Sequence, residues 1–306
     1  MTEKKTDVIC VGQAVLDCIT RGQDQTVEGD PRKKPVTVAE SIHLATGGDA
    51  VNESFVLAGM GVNTQLVCVL GKDLAGDILY EEARRHNVNT DRITRSDQLH
   101  TPVANLMVGK DGSRYSINSK ATILPGYTPD SAAVKGARIV SFASLFRAPL
   151  DQADVIKRLI RSAHEDGALI CADTKLPTFR ETSLEDLKEI LPLIDYIFPN
   201  EKEAGYYTVE SSFEKMADRL LSFGIRHVVI KAGAEGCYAA SGKERFLVPA
   251  RKVPVVDTTG AGDNFVAGFL AALLEEKSFR DCCIRGTEQA AKSIQNIGAT
   301  QNPYNK

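Results

Sequence analysis

The chain has 306 residues, 43% hydrophobic and 25% charged, an ordinary balance for a globular protein of one large α/β domain or two smaller ones. Its net charge of −3 leaves no electrostatic footprint for nucleic acid or an anionic membrane. The opening MTEKKTDVICVG runs from charge straight into a strand with no signal-peptide core, no apolar run is long enough to cross a bilayer, and the seven cysteines include no CxxC pair. A cytoplasmic protein with buried free thiols is the expectation.

The first predicted strand is DVICVG, residues 7–12. A strand ending in glycine suits a dinucleotide fold, but the continuation GQAVLD breaks the GxGxxG pattern and removes that reading. Asp17 follows a few residues later, and an isolated loop carboxylate is by default solvated. Residues 21–35 are polar and charged, and read as a loop. Residues 36–44 alternate apolar and polar, as a half-exposed strand does. In TGGDAVNESFVLAGMG, residues 46–61, Gly47 and Gly48 permit close backbone approach before a helix from Asn52 to Ala58, with Asp49 placed to cap it. A strand, turn and helix fill residues 64–79. Residues 101–108 and 114–117 flank the turn GKDG at 109–112, a hairpin signal.

From residue 137 the rhythm is strand then helix. Strands are predicted at 137–142, 168–172, 195–198 and 227–231, and helices at 151–165, 183–191, about 200–207 and 211–223. That alternation implies a parallel sheet covered on both faces, with ligands beyond the carboxyl ends of its strands. Asp173, Asn200, Lys231 and Asp257 fall at those ends. Asn200 to Glu203, NEKE, also has the form of a capping box. KAGAEG, residues 231–236, reads as a hairpin turn and lacks the GxxxxGK[ST] of a Walker loop. A last helix at about 287–297 ends in Asn296 and Gly298, where glycine suits a C-cap.

The most informative stretch is RKVPVVDTTGAGDNFVAGFLAALLEE, residues 251–276. A short β-branched run, Lys252 to Val256, feeds a turn of small residues. The turn opens a helix whose apolar positions include Phe265, Val266, Phe269, Leu270, Leu273 and Leu274. The first N–H groups of a helix lack internal partners and carry partial positive charge, so the turn makes an anion site. Gly260, Ala261 and Gly262 leave it open. Asp263 fits two roles there: an N-cap, or a general base for a hydroxyl attacking a bound phosphate.

DTTGAGDNFVAGFL resembles the C-terminal signature of the PfkB, or ribokinase-like, family of carbohydrate and nucleoside kinases. GGxxxN at Gly47, Gly48 and Asn52 resembles its N-terminal signature, and the likeness runs from Asp17 to Ala299. The resemblance implies an α/β fold: a three-layer sandwich with a central, mostly parallel sheet and a small β lid. It implies one kinase domain over residues 1–306, with a lid from about 13–45 and 99–118. It implies that Gly260, Ala261 and Gly262 form the anion hole and that Asp263 is the base. Asp17, Gly47, Gly48 and Asn52 would hold sugar hydroxyls, and Gly71, Asp73 and Gly76 would be structural. Asp173, Asn200, Glu203, Lys231, Gly233, Gly236 and Asn296 would serve ATP, its phosphates and Mg²⁺, with Glu203 acting through water. Asp257 and Thr259 lie where some relatives bind K⁺. At Asp173 the family often has Asp-x-Asn, whereas this chain has Lys175 as the third residue, and Asn264 is a second, milder departure.

The expected activity is transfer of the γ-phosphate of ATP to a primary hydroxyl of a small ribose- or fructose-like sugar. A nucleoside kinase of the same fold is the first alternative, although the chain has no Trp for a base shelf and offers Tyr115 and Tyr127. A keto-deoxy-sugar-acid kinase is the second, with Arg114 and Lys120 as anion partners. A non-catalytic sugar-binding regulator is the third, disfavoured by the presence of Asp263. The alternating lid strands need a cover, either bound sugar or the lid of a second subunit, so a homodimer is compatible with the pattern. Neither nucleic acid nor membrane is an expected partner.

Overall fold

The computed structural model describes residues 6–22, 38–109, 114–123, 126–296 and 298–300. Its strands are β1 (Thr6–Val11), β2 (Val15–Arg21), β3 (Ser41–Gly47), β4 (Thr64–Gly71), β5 (Ile93–Ser96), β6 (Val103–Val108), β7 (Arg114–Asn118), β8 (Ala137–Leu145), β9 (Leu169–Thr174), β10 (Tyr196–Ile197), β11 (His227–Lys231), β12 (Cys237–Ser241) and β13 (Arg245–Val248). The helices are α1 (Asp49–Gly59), α2 (Leu74–Arg85), α3 (Ala153–Glu165), α4 (Glu201–Thr208), α5 (Phe213–Ser222), α6 (Ala261–Leu274) and α7 (Phe279–Ser293).

A nine-stranded sheet runs in the order β13-β12-β11-β10-β9-β8-β1-β4-β5. It is parallel from β11 to β5 and antiparallel at β12 and β13. Side chains alternate along each strand, so a strand buried on both faces feeds two cores. In β1, Val8 and Cys10 pack with Phe55 of α1, Leu79 of α2, Phe269 of α6 and Cys283 of α7. Ile9 and Val11 pack with Ile156 and Leu159 of α3 and Leu220 of α5. The sheet is therefore the middle of three layers. α6 is the innermost helix: every residue from Asp263 to Ala272 is buried.

β2, β3, β6 and β7 form a separate sheet in the order β3-β2-β6-β7. Its registers put Ile42, Leu44, Cys18, Thr20, Asn105, Met107, Tyr115 and Ile117 on one face and Asp17, Ile19 and Arg21 on the other. The hairpin predicted for 101–117 is β6 and β7, while residues 110–113 of its turn lie outside the described set, as do 23–37.

Four predicted boundaries move. Lys252 to Val256 is no strand: Pro254 has no N–H to donate, and the N–H groups of Val256 and Asp257 bond the Ile294 carbonyl instead. Residues 183–191 form no α-helix. Short 3₁₀ turns at Glu185–Leu187 and Leu191–Leu193 replace it, the second carrying Pro192, which cannot donate an interior helical bond. α1 starts at Asp49, so Asp49 lies in its first turn and the cap is Gly48. α7 starts well before residue 287, at an N-cap Ser278 that accepts from the Asp281 N–H. Among the described residues six cysteines are buried and free, Cys18 is half-buried and free, and no helix is long and apolar enough to span a membrane. Asp73 caps α2 and also accepts from the N–H and hydroxyl of Thr101, a structural job that suits its place between Gly71 and Gly76.

Candidate active site

The turn that opens α6 is held from three sides. Gly260 is the N-cap in the left-handed region, φ 70°, and no side chain caps the helix. The capping role for Asp263 is thus excluded. One oxygen of Asp257 accepts from the Thr259 N–H (3.0 Å) and hydroxyl (2.7 Å). The other accepts from the Gly298 N–H and from Nη2 of Arg21, both at 3.1 Å. The Asn264 amide donates to the carbonyls of Gly260 (3.0 Å) and Ala299 (2.7 Å). Asn264, the milder departure from the family pattern, therefore straps the C-terminal turn to the helix start.

Asp263 lies in the first turn of α6, 3% exposed, with Oδ2 accepting from Nδ2 of Asn52 at 2.7 Å. Burial and then the neighbouring Asp49 push its carboxyl up to about 7, against the opposing pull of Lys175 and Asn52. Asn52 is buried, and its Oδ1 has no partner among the described residues. That oxygen can accept a hydrogen bond from a bound hydroxyl. Asp17, on β2, packs onto Gly47: a Cβ there would lie 2.2 Å from Oδ2 of Asp17. Gly48 has φ 94° and follows the same close approach. Burial, then the charge of Asp49, raises Asp17 to about 7 as well.

A second cluster sits at the ends of β9 and β11. The ammonium of Lys231 donates to the buried Asp173 at 2.6 Å. A Cβ on Gly262 would lie 3.2 Å from that Nζ, so the lysine charge stands beside the anion turn. Asn200 and Glu203 form the predicted capping box, and Oε2 of Glu203 also accepts from the Thr174 hydroxyl at 3.1 Å. Burial, then Asp173, raises Glu203, with Lys231 and the Asn200 N–H opposing. Gly236 turns the chain from β11 into β12 at φ 98°, with Gly233 in the same turn. Asn296 is exposed and donates its amide to the Lys292 carbonyl, so its side chain serves its own helix end.

Three residues join the clusters without having been singled out for it. Lys175 places Nζ 3.3 Å from Oδ1 of Asp49 and 4.0 Å from Oδ1 of Asp263. Glu53, fully buried under α1, accepts from the Ser141 hydroxyl at 2.6 Å. Burial raises Glu53 far above the usual carboxylate range, Ser141 opposing and Asp173, Asp263 and Asp49 adding. Lys175 left a trace in the sequence as the residue that replaces Asn after Asp173, Asp49 as a helix cap, and Glu53 none. Among the described residues no cluster of His, Cys, Asp or Glu is built to cage a metal ion.

Sheet, layers and small second sheet define the class as a ribokinase-like fold. Thermotoga maritima ribokinase superimposes with a TM-score of 0.76 at 25% identity, over 97% of this chain and 95% of that one. Arabidopsis thaliana ribokinase, solved with ribose and ATP, gives 0.79 at 23%, over 96% and 94%. The family profile described as "pfkB family carbohydrate kinase" matches residues 5–305. An uncharacterized sugar kinase of Archaeoglobus fulgidus is 30% identical over 80% of this chain and 96% of its own length. A Haemophilus influenzae ribokinase is 28% identical, over 85% and 84%, and a Bacillus subtilis 2-dehydro-3-deoxygluconokinase 27%, over 92% and 91%. This chain belongs to the PfkB family of carbohydrate kinases.

Proposed function

We propose that the protein transfers the γ-phosphate of ATP to a primary hydroxyl of a small neutral sugar, with Asp263 as the general base. One observation carries this reading. Asp263 is a buried carboxylate at an anion-binding helix start, it caps nothing there, and a buried amide aims it. The N–H groups at Gly260, Ala261 and Gly262 are placed to receive the charge that develops on the transferred phosphoryl group. Lys231 and Asp173 border that position. The proton leaves the attacking hydroxyl for Asp263 as the new O–P bond forms and the bond to the departing diphosphate breaks. ATP is supported by the related ribokinase solved with ribose and ATP.

Magnesium suits what is present. It brings its own waters and binds substrate phosphates rather than an all-protein cage, and Glu203 would hold it through water. When bound it neutralises phosphate charge. A potassium ion would be held by backbone carbonyls around Asp257 and Thr259, whose side chains bond each other while Arg21 sets a positive charge on Asp257. The reading assigns K⁺ no part.

The neutral sugar is preferred over a sugar acid because the ammonium of Lys175 is engaged with Asp49 and Asp263 rather than open to a carboxylate. Lys120 is exposed, and the side chain of Arg114 lies outside the described set. A nucleoside base finds no shelf in the two tyrosines considered. Tyr127 is buried with Val69 and Ala148, and Tyr115 is on the face of the small sheet opposite Asp17. Product formation assayed with ATP and ribose, fructose, 2-dehydro-3-deoxygluconate and adenosine in turn tests this. Turnover of adenosine or of the sugar acid alone would overturn the neutral-sugar assignment.

Asp17→Ala is expected to raise the acceptor KM about 10–100-fold, the usual worth of hydrogen bonds to a charged group. The ATP KM should stay near the wild-type value. Equal changes in both, or in neither, remove Asp17 from the acceptor.

The small sheet is proposed as a lid. Its Asp17 face meets the acceptor, and Ile42, Leu44, Tyr115 and Ile117 are exposed on the other, which a second copy would cover to give a homodimer. Amide exchange should separate the two contacts. Acceptor should slow exchange in β2 and β6 at any protein concentration, and raising the concentration should slow it in β3 and β7 without acceptor. Exchange in all four strands that ignores the acceptor rules out the lid.

A further inference from the structure

We propose that Asp49 and Lys175 are positioning residues for Asp263: they form a fixed ion pair against it, so that Asp49 stays charged and Asp263 is the one carboxylate free to exchange a proton. This rests on the reading of Asp263 as base and assigns two residues which that reading does not use.

The geometry is a three-membered cluster. Asp49 enters from the first turn of α1, Lys175 from just past β9, and Asp263 from the first turn of α6. Lys175 is nearer to Asp49, at 3.3 Å, than to Asp263, at 4.0 Å. Two carboxylates this close cannot both ionise freely, and a cation placed off-centre decides which one does. Lys175 favours Asp49, which also gains from the positive end of its helix. Asp263 receives the weaker pull, plus the Asn52 amide on its other oxygen. The remaining charges follow the same division. Asp173 from β9 adds negative charge near the cluster, offset by Lys231 from β11, while Asp17 from β2, Glu53 from α1 and Glu203 from α4 also lie around it with burial favouring their neutral forms. Burial raises Asp49, but the charge of Lys175, 3.3 Å away, outweighs it and holds the carboxyl below the ordinary carboxylate range. Burial works against the ammonium, but Asp49, then Asp263, Asp173 and Glu203, hold Lys175 well above the ordinary lysine value.

The family pattern has an uncharged Asn at the position of Lys175. A neutral side chain there could not split the two carboxylates.

The test follows the Asp263 carboxyl by carbon-13 NMR of aspartate-labelled apo protein from about pH 5 to about pH 11, wide enough to bracket the shifts expected, the signal being assigned by its loss in Asp263→Asn. Wild type should titrate near 7. Lys175→Met should move the midpoint up by about 1–3 units, the range for losing an opposite charge at this distance. Lys175→Arg should restore most of the shift, and Asp49→Asn should move the midpoint down. An Asp263 midpoint unchanged in Lys175→Met, or unchanged in Asp49→Asn where the Met variant does not fold, overturns the proposal. The acid limb of kcat/KM with ATP and ribose should shift in parallel. Absence of ribose turnover in wild type with the NMR shifts intact would overturn the acceptor reading and leave the pair in place.

Discussion

Asp263→Asn is expected to lower kcat by about 10²–10⁴-fold, the usual worth of a general base, with the ATP KM nearly unchanged. Asparagine has the shape of aspartate, and its side-chain oxygen can still accept from Nδ2 of Asn52, so the 2.7 Å contact that aims the group survives. What is lost is the ability to take a proton. The pH dependence gives the same residue a second signature. The base works ionised, and burial followed by Asp49 raises its carboxyl to about 7. Wild-type kcat/KM should therefore fall as pH drops through about 7, and this limb should vanish from the residual activity of the variant. Stability moves oppositely. A carboxyl raised in the folded state stabilises fully below its unfolded value near 3.9, and that contribution is lost as pH rises through its folded value. The asparagine variant should then melt no lower than wild type at pH 8. A kcat within about two-fold of wild type, measured under saturating ATP and acceptor, removes Asp263 from the chemistry.

What the sequence made legible was what is encoded locally. The buried strands announce themselves because β1, β4 and β8 are near-continuous apolar runs. The box of Asn200 and Glu203 is legible because both partners lie within one turn. The errors have local causes too. The β-branched run before Asp257 reads as a strand by propensity, yet Pro254 and the α7 carbonyl decide its hydrogen bonds. Asp263 fits a cap as well as a base in the sequence because cap identity depends on where the backbone leaves helical φ, and the chain does so at Gly260. Asp49 and Lys175 were not legible as a pair. They are far apart in sequence and meet only because β9 ends opposite the start of α1. The same holds for Arg21 on Asp257 and Asn264 on Ala299, contacts made by the closed fold rather than by any motif.

Gly260→Ala should also cost the enzyme heavily, for a reason distinct from proton transfer. The residue sits at φ 70°, where a Cβ costs about 1–2 kcal/mol. That Cβ would also lie 2.1 Å from Cβ and 2.7 Å from Cα of Ala299, and the latter is backbone that cannot swing aside. Either the α6 turn or the C-terminal turn must move. Asn264 bonds both the Gly260 and Ala299 carbonyls, so separation breaks at least one strap. The N–H groups of the turn would then miss the transferring phosphoryl oxygens. Loss of one such donor typically lowers kcat by about 10²–10³-fold, and melting should fall by several degrees. Gly262→Ala is the matched control. Its φ is not in the left-handed region, and the nearest atom to its Cβ would be Nζ of Lys231, at 3.2 Å, a side-chain end rather than backbone, though one held on Asp173. It should lose less than about 10-fold in kcat. If Gly260→Ala turns over within about three-fold of wild type, the turn tolerates displacement and is not the group that stabilises the transition state.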